Sequence, residues 1–356
     1  MKSGVKAASE MMSFEDKVFH LSLDGLIDWW CAQGKMSANS GFEVIDTKID
    51  SLSEGVFSRN DLSKRAEFHR SLLKLYDMHV SLPSSGGGGN NFQFDVFLIH
   101  VKNRLEDEWL RFERRCFLDF MERLGGEKGE GVVDLIGRMW LTHPSSRHPL
   151  FSYLEREADI EKMCEFFVSD SPLNVRFYDL IVLSMVGAPE DVRVELAGNF
   201  WDESGRGDAG SSHVSLFKAL LDKLGIERAA DEHASLLSLE GMEGYNLFMM
   251  TALNRRLYYM LLGVMAITEL MDPSQYERLV NGCRRLGLSD EDILYYSEHV
   301  TIDVVHGEGW LKNVIFPIVS RCPSAAGDVL FGAYLRLKTC QSYYDALLFR
   351  LKEGET

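Results

Sequence analysis

Apolar residues recur three and four positions apart in almost every long segment of this chain, and they seldom alternate. The spacing predicts helices over 14–33, 63–80, 92–124, 150–168, 212–224, 245–271, 274–286, 289–315 and 327–352. Ser and Asp stand where N-caps belong, as at Asp272 and Ser289. With 8 prolines in 356 residues, helix breakers are few, and Pro189, Pro273, Pro317 and Pro323 fall at expected boundaries. No strand pair and no internal repeat stands out. An all-α protein is expected.

The chain is long enough for one large domain or two smaller ones with a well-buried core. Hydrophobic residues make up 46% and charged residues 26%, the balance of a soluble globular protein. A net charge of −16 argues against nucleic acid and against anionic membrane surfaces, since phosphates would be repelled. Residues 1–16 contain Glu10 and no apolar signal region. The most apolar run, 257–270, is too short for a span and carries Glu269. The 6 cysteines are scattered with no CxxC pair, as expected for reduced thiols in a cytoplasmic protein. The low-complexity stretch 84–91 reads as a linker, and glycines at 125–131 mark a second break. These features divide the chain into a helical N-terminal region, 1–135, and a second helical domain, 136–356. The long helix 92–124 suits packing against another subunit, making 1–135 the expected homodimerisation region; it could equally fold back on its own chain.

Within the second domain, His299-Val-Thr-Ile-Asp303-Val-Val-His306 sits in a run that is apolar at helical spacing. At 100° per residue, Asp303 and His306 fall at about 40° and about −20° from His299, so all three project from one stripe. Two imidazoles and a carboxylate on one stripe suit a first-row transition metal, iron above all. A metal needs further partners. Glu203 closes one expected helix and His213 opens the next, joined by a glycine-rich turn able to fold back on itself. Glu269 is the lone acid of 256–269, where burial without a cation would be costly. The alternatives are a polar surface turn for the first pair and a solvated helix end for Glu269. Taken together, Glu203, His213, Glu269, His299, Asp303 and His306 make a plausible di-iron set of the kind helix bundles build from inward-facing side chains. Mixed nitrogen and oxygen donors favour iron or manganese over structural zinc.

At these residues the chain resembles the haem-oxygenase-like di-iron oxidases and oxygenases. The pattern is Asp202-Glu203-x-Gly-x-Gly leading to His213, then Glu269, then His299-x3-Asp303-x2-His306, with His148-Pro-Leu-Phe similar to the start of that family's first core helix. The resemblance covers roughly 143–352. It implies a haem-oxygenase-like helical bundle preceded by a helical N-terminal region, two Fe(II) ions per chain, and O2 as co-substrate. It further implies an oxygenase acting on a small-molecule amine or amino acid, with N-oxygenation first and oxidative C–C cleavage or desaturation second, and leaves room for an external electron donor. Some members use one more carboxylate from the preceding helix, for which Asp179 is the nearest candidate. A helical interaction protein that kept only the scaffold is the reading from another class.

Overall fold

A computed structural model of the chain describes residues 14–33, 42–82, 92–125, 130–226 and 230–353; the linker expected at 84–91 lies outside the described residues. Among the described residues there are helices and no strands. They form two compact units, Met1–Leu118 and Asp119–Thr356.

The first unit contains α1 (Phe14–His20), α2 (Leu23–Gln33), α3 (Phe42–Phe57), α4 (Leu62–Val80) and most of α5 (Val96–Leu124). Its core is aromatic, with Trp30 stacked on Phe97 at 4.1 Å. Two buried acids there are engaged: Glu67 accepts the Leu23 N–H at the start of α2, and Glu106 accepts from Tyr76 Oη. The units divide inside α5, ahead of the glycine break at 125–131 and of the boundary expected at 135. The last turn of α5 lies within the second unit. Phe120 lies 5.0 Å from the Tyr334 ring, and the Arg138 guanidinium donates to the carbonyls of Leu124 and Gly125.

The second unit continues with α6 (Val132–Thr142), α7 (Pro149–Arg156), α8 (Ile160–Asn174), α9 (Phe177–Met185) and α10 (Glu190–Glu203). Then come α11 (His213–Lys223), α12 (Leu239–Leu253), α13 (Tyr258–Arg285), α14 (Leu294–Gly309), α15 (Phe316–Arg321) and α16 (Ala326–Glu353). The buried helix α13 packs against both α14 and α16. Its crossing with α16 is backbone to backbone. A Cβ on Gly263 would lie 2.0 Å from Val329 O, and one on Gly332 would lie 2.1 Å from Met260 O, so only glycine fits at either position.

Two expected boundaries are absent. Helix α13 runs through Pro273, which costs it one hydrogen bond, to the Glu269 carbonyl four residues back, while burial on both flanks holds it together. Asp272 is therefore a mid-helix residue and not a cap. Likewise α14 continues through a π-helical segment (Trp310–Ile315) into α15. The Phe316 N–H reaches back five residues to Leu311 O, and Pro317 falls in the first turn of α15, where a missing N–H is tolerated. No single helix among the described residues is long and apolar enough to cross a membrane.

Candidate metal centre

The turn after α10 does fold back. Gly205 adopts φ +73°, and a Cβ there would lie 2.5 Å from the backbone of Ser211 and Ser212. Arg206 follows in the left-handed region, φ 55°, held by its 2.6 Å bond from Nε to Asp202 Oδ1. Ser212 then caps α11 by accepting the Ser215 N–H, which sets His213 at the first helical position. The turn thus returns His213 to the end of α10, where its Nδ1 lies 2.8 Å from Glu203 Oε2.

The six side chains picked out in the sequence assemble as two triplets. Glu203, His213 and His299 form one, and Glu269, Asp303 and His306 the other; within each, potential ligand atoms lie within 4.8 Å of one another. None of the six is more than 5% exposed, so the solvated readings of Glu203, His213 and Glu269 do not hold, while the turn between the first two is exposed from Arg206 to Ser211. In the first triplet the His213 and His299 rings are 4.3 Å apart, and His299 Nε2 is 3.9 Å from Glu203 Oε1. In the second, His306 Nδ1 is 3.6 Å from Glu269 Oε2 and 3.7 Å from Asp303 Oδ1. Asp179 is not among them: its half-exposed side chain on α9 pairs with Arg176 at 3.4 Å.

Outer contacts orient the imidazoles. His299 Nδ1–H donates to Tyr295 O at 2.6 Å, which leaves the Nε2 lone pair facing Glu203. His306 Nε2–H donates to Asp202 Oδ2 at 3.0 Å, which turns Nδ1 toward Glu269 and Asp303. A carbonyl or carboxylate on the far nitrogen fixes the tautomer and raises the basicity of the near one, as metal-binding histidines require. His148 plays a different part. Its Nδ1 accepts the Leu150 N–H and its Nε2 bonds Asp345, so it caps α7 with both nitrogens engaged.

Charge is distributed unevenly. Burial alone would raise Glu203, but contact with His213 and the nearby His299 bring its carboxyl below the usual range. Burial and the neighbouring His213 push His299 down to about 4. Burial raises Glu269, and burial with the adjacent Glu269 raises Asp303 well above the carboxylate range. His306 resists burial and is lifted to about 9 by Glu269 and Asp202.

The residues fit a metal. Glu269 Oε1 is buried without a hydrogen-bond partner, and His213 Nδ1, though 2.8 Å from Glu203 Oε2, has no well-aligned hydrogen bond, one such atom in each triplet. A cation would satisfy both. Three imidazoles and three carboxylates without a thiolate are the donors of an iron site.

A cavity opens beside the centre, lined by Glu269, His299 and Asp303 and also by Asp170, Asp272 and Arg336. The last three escape sequence reading. Asp272 looks like a helix cap before a proline, and Asp170 and Arg336 look like isolated charges in apolar helices whose meeting depends on tertiary packing. Asp202 stands in the quoted motif, yet nothing in its spacing marks it as the partner of His306.

Comparison with known proteins agrees with this architecture. Two crystal structures of a CADD-like protein of unknown function from Nostoc punctiforme PCC 73102 superpose with a TM-score of 0.50 each, at 16% and 14% sequence identity. The alignments cover 62% and 63% of this chain and 96% of each of those chains. The likeness is one of fold: a haem-oxygenase-like helical bundle, here preceded by a helical N-terminal region. No curated protein matches the chain. Residues 164–340, which carry all six side chains of the centre, match the model of the family described as iron-containing redox enzymes.

Proposed function

We propose that this chain is a non-haem di-iron oxygenase that uses O2 to oxidise an amine-bearing small molecule or amino acid, by N-oxygenation. One observation carries the reading: two buried triplets of iron-type donors, within a segment that matches an iron-containing redox family. Glu203, His213 and His299 would hold one ferrous ion and Glu269, Asp303 and His306 a second, and these would supply two of the electrons that reduce dioxygen. Insertion of one oxygen atom into an amine N–H draws the other two from the substrate, and the second oxygen leaves as water. An external electron donor would supply the reducing equivalents for a further turnover.

The chain's own part is to hold and to shield. Tyr295 O and Asp202 fix the rings of His299 and His306, so that Nε2 of the first and Nδ1 of the second already face the carboxylates of their own triplets. The apolar burial of α13 and α14 keeps bulk water from the donor atoms. Anaerobic Fe(II) loading followed by metal analysis should give two irons per chain, one per triplet. Turnover under labelled dioxygen should then put the label into a new N–O bond. Label found only in water, with a substrate that has lost carbon or gained unsaturation, would select C–C cleavage or desaturation and leave the metal assignment standing.

We also propose that the first 135 residues mediate homodimerisation. Val96 and Leu118 are exposed along α5 at 70% and 62%. Light scattering should return a dimer mass for the full chain and a monomer mass for Val96→Glu with Leu118→Glu. A monomeric parent chain refutes the idea.

A further inference from the structure

Arg336 is an unusual residue to find inside a helical bundle. It lies on α16, is 8% exposed, and reaches the cavity beside the candidate centre. Its Nε donates to Thr268 Oγ1 at 3.0 Å, and its guanidinium lies 4.7 Å from the Phe248 ring centroid. These two contacts set its orientation. They use one of its five N–H donors. Among the described residues no carboxylate comes within 4.0 Å of it, although Asp170 and Asp272 line the same cavity. A buried guanidinium without a paired anion is costly, and its free fork matches a carboxylate in two parallel hydrogen bonds.

The acids across the cavity differ from each other. Asp170 Oδ2 accepts from Asn174 Nδ2 at 3.0 Å and from Tyr296 Oη at 3.1 Å, so neutral donors partly satisfy it. Among the described residues Asp272 has neither a hydrogen bond nor an ion pair from its side chain. Burial drives its carboxyl well above the usual range, with Arg336 only partly opposing. Its carboxyl lines the cavity beside Arg336 and Asp170, where a cationic group would give it a partner. Asp272 also sits one helical turn after Glu269 on α13, so a group bound there lies next to the candidate centre.

We propose that this cavity is a receptor for a zwitterionic amino acid, with Arg336 pairing its carboxylate and Asp272, supported by Asp170, holding its ammonium group. The proposal rests on the di-iron reading for its place in a reaction, and it names the substrate class of that site. The ammonium nitrogen held by Asp272 is then the amine nearest the ligand triplets.

The test is calorimetric binding of the coded amino acids to the full chain, loaded anaerobically with Fe(II), in the absence of O2. The tightest binder is then compared with its decarboxylated amine and its deaminated acid. Each truncation should weaken binding by at least about tenfold, as loss of a charge-assisted pair does. Arg336→Met should abolish the preference for the amino acid over the amine. Asp272→Asn should abolish its preference over the acid. If Arg336→Met loses helicity, Arg336→Lys serves instead: it keeps the charge, loses the fork, and should retain only part of the preference. Absence of binding by every amino acid overturns the proposal. So does a preference unchanged by the Arg336 and Asp272 variants, which would make the three charges internal counter-ions only. Metal analysis of the same sample reads the di-iron assignment separately, because a full iron complement with no amino-acid binding sinks the receptor alone. Near-zero iron with retained binding sinks only the metal.

Discussion

The two triplets use the same residue types in opposite proportion. Glu203, His213 and His299 set two imidazoles against one carboxylate, whereas Glu269, Asp303 and His306 set two carboxylates against one imidazole. The consequence is electrostatic. The first triplet balances its own charge: its acid is held low and His299 stays neutral down to about 4. The second carries excess acid that burial forces to take up protons, with a single histidine raised to about 9 between them. Two sites built from one set of side chains thus differ in how far protons compete with a metal for them.

The largest expected effect comes from breaking either triplet. Glu203→Ala removes the only acid of the first and His306→Ala the only imidazole of the second. Each should abolish O2-dependent turnover while circular dichroism stays that of the parent, since the apolar helix faces carry the fold. Wild-type turnover by either variant would remove that residue from the centre.

A pH titration sharpens the contrast. Raised carboxylates protonate earlier as pH falls, so acid should displace iron first from Glu269, Asp303 and His306. In the first triplet only His213 is raised, with Glu203 held low and His299 still neutral, so fewer of its ligands take up protons and it should lose iron at lower pH. Iron retained after dialysis between about pH 8 and about pH 5 should fall in two steps; a single step would mean the triplets act as one unit.

A smaller loss is expected from Asp202→Asn, which keeps the shape but removes the negative charge behind His306. Loss of an orienting carboxylate weakens metal affinity or activity by about 10–100-fold, and the iron bound at the second triplet should show the deficit. Smallest of all is Asp179→Ala. An exposed pair such as Asp179 with Arg176 contributes about 0–1 kcal/mol, so iron content and turnover should match the parent. A measurable loss of iron would restore Asp179 as a ligand.

What sequence alone makes legible follows from the range of the interactions. His299, Asp303 and His306 are read from helix geometry, because their spacing needs no knowledge of the rest of the chain. Glu203 and His213 follow from a turn of glycines, again a local signal. Asp170, Asp272 and Arg336 come from three different helices and meet only through the packing of α8, α13 and α16. Pro273 misleads in the same way: as a local rule it ends a helix, but burial on both sides of α13 outweighs one missing hydrogen bond. The division of the units inside α5 is hidden too, since a continuous helix gives no compositional break.

The glycine contact between α13 and α16 has a practical side. Gly263 and Gly332 bring two backbones together with no side chain between them, so the separation of those helices is not adjustable by repacking. Glu269 and Asp272 ride on one of them and Arg336 on the other. Anyone seeking to retune what this cavity accepts must therefore work by exchanging the reach and charge of side chains at fixed anchor points. Variants with larger residues at Gly263 or Gly332 would be expected to forfeit the spacing on which the whole arrangement depends.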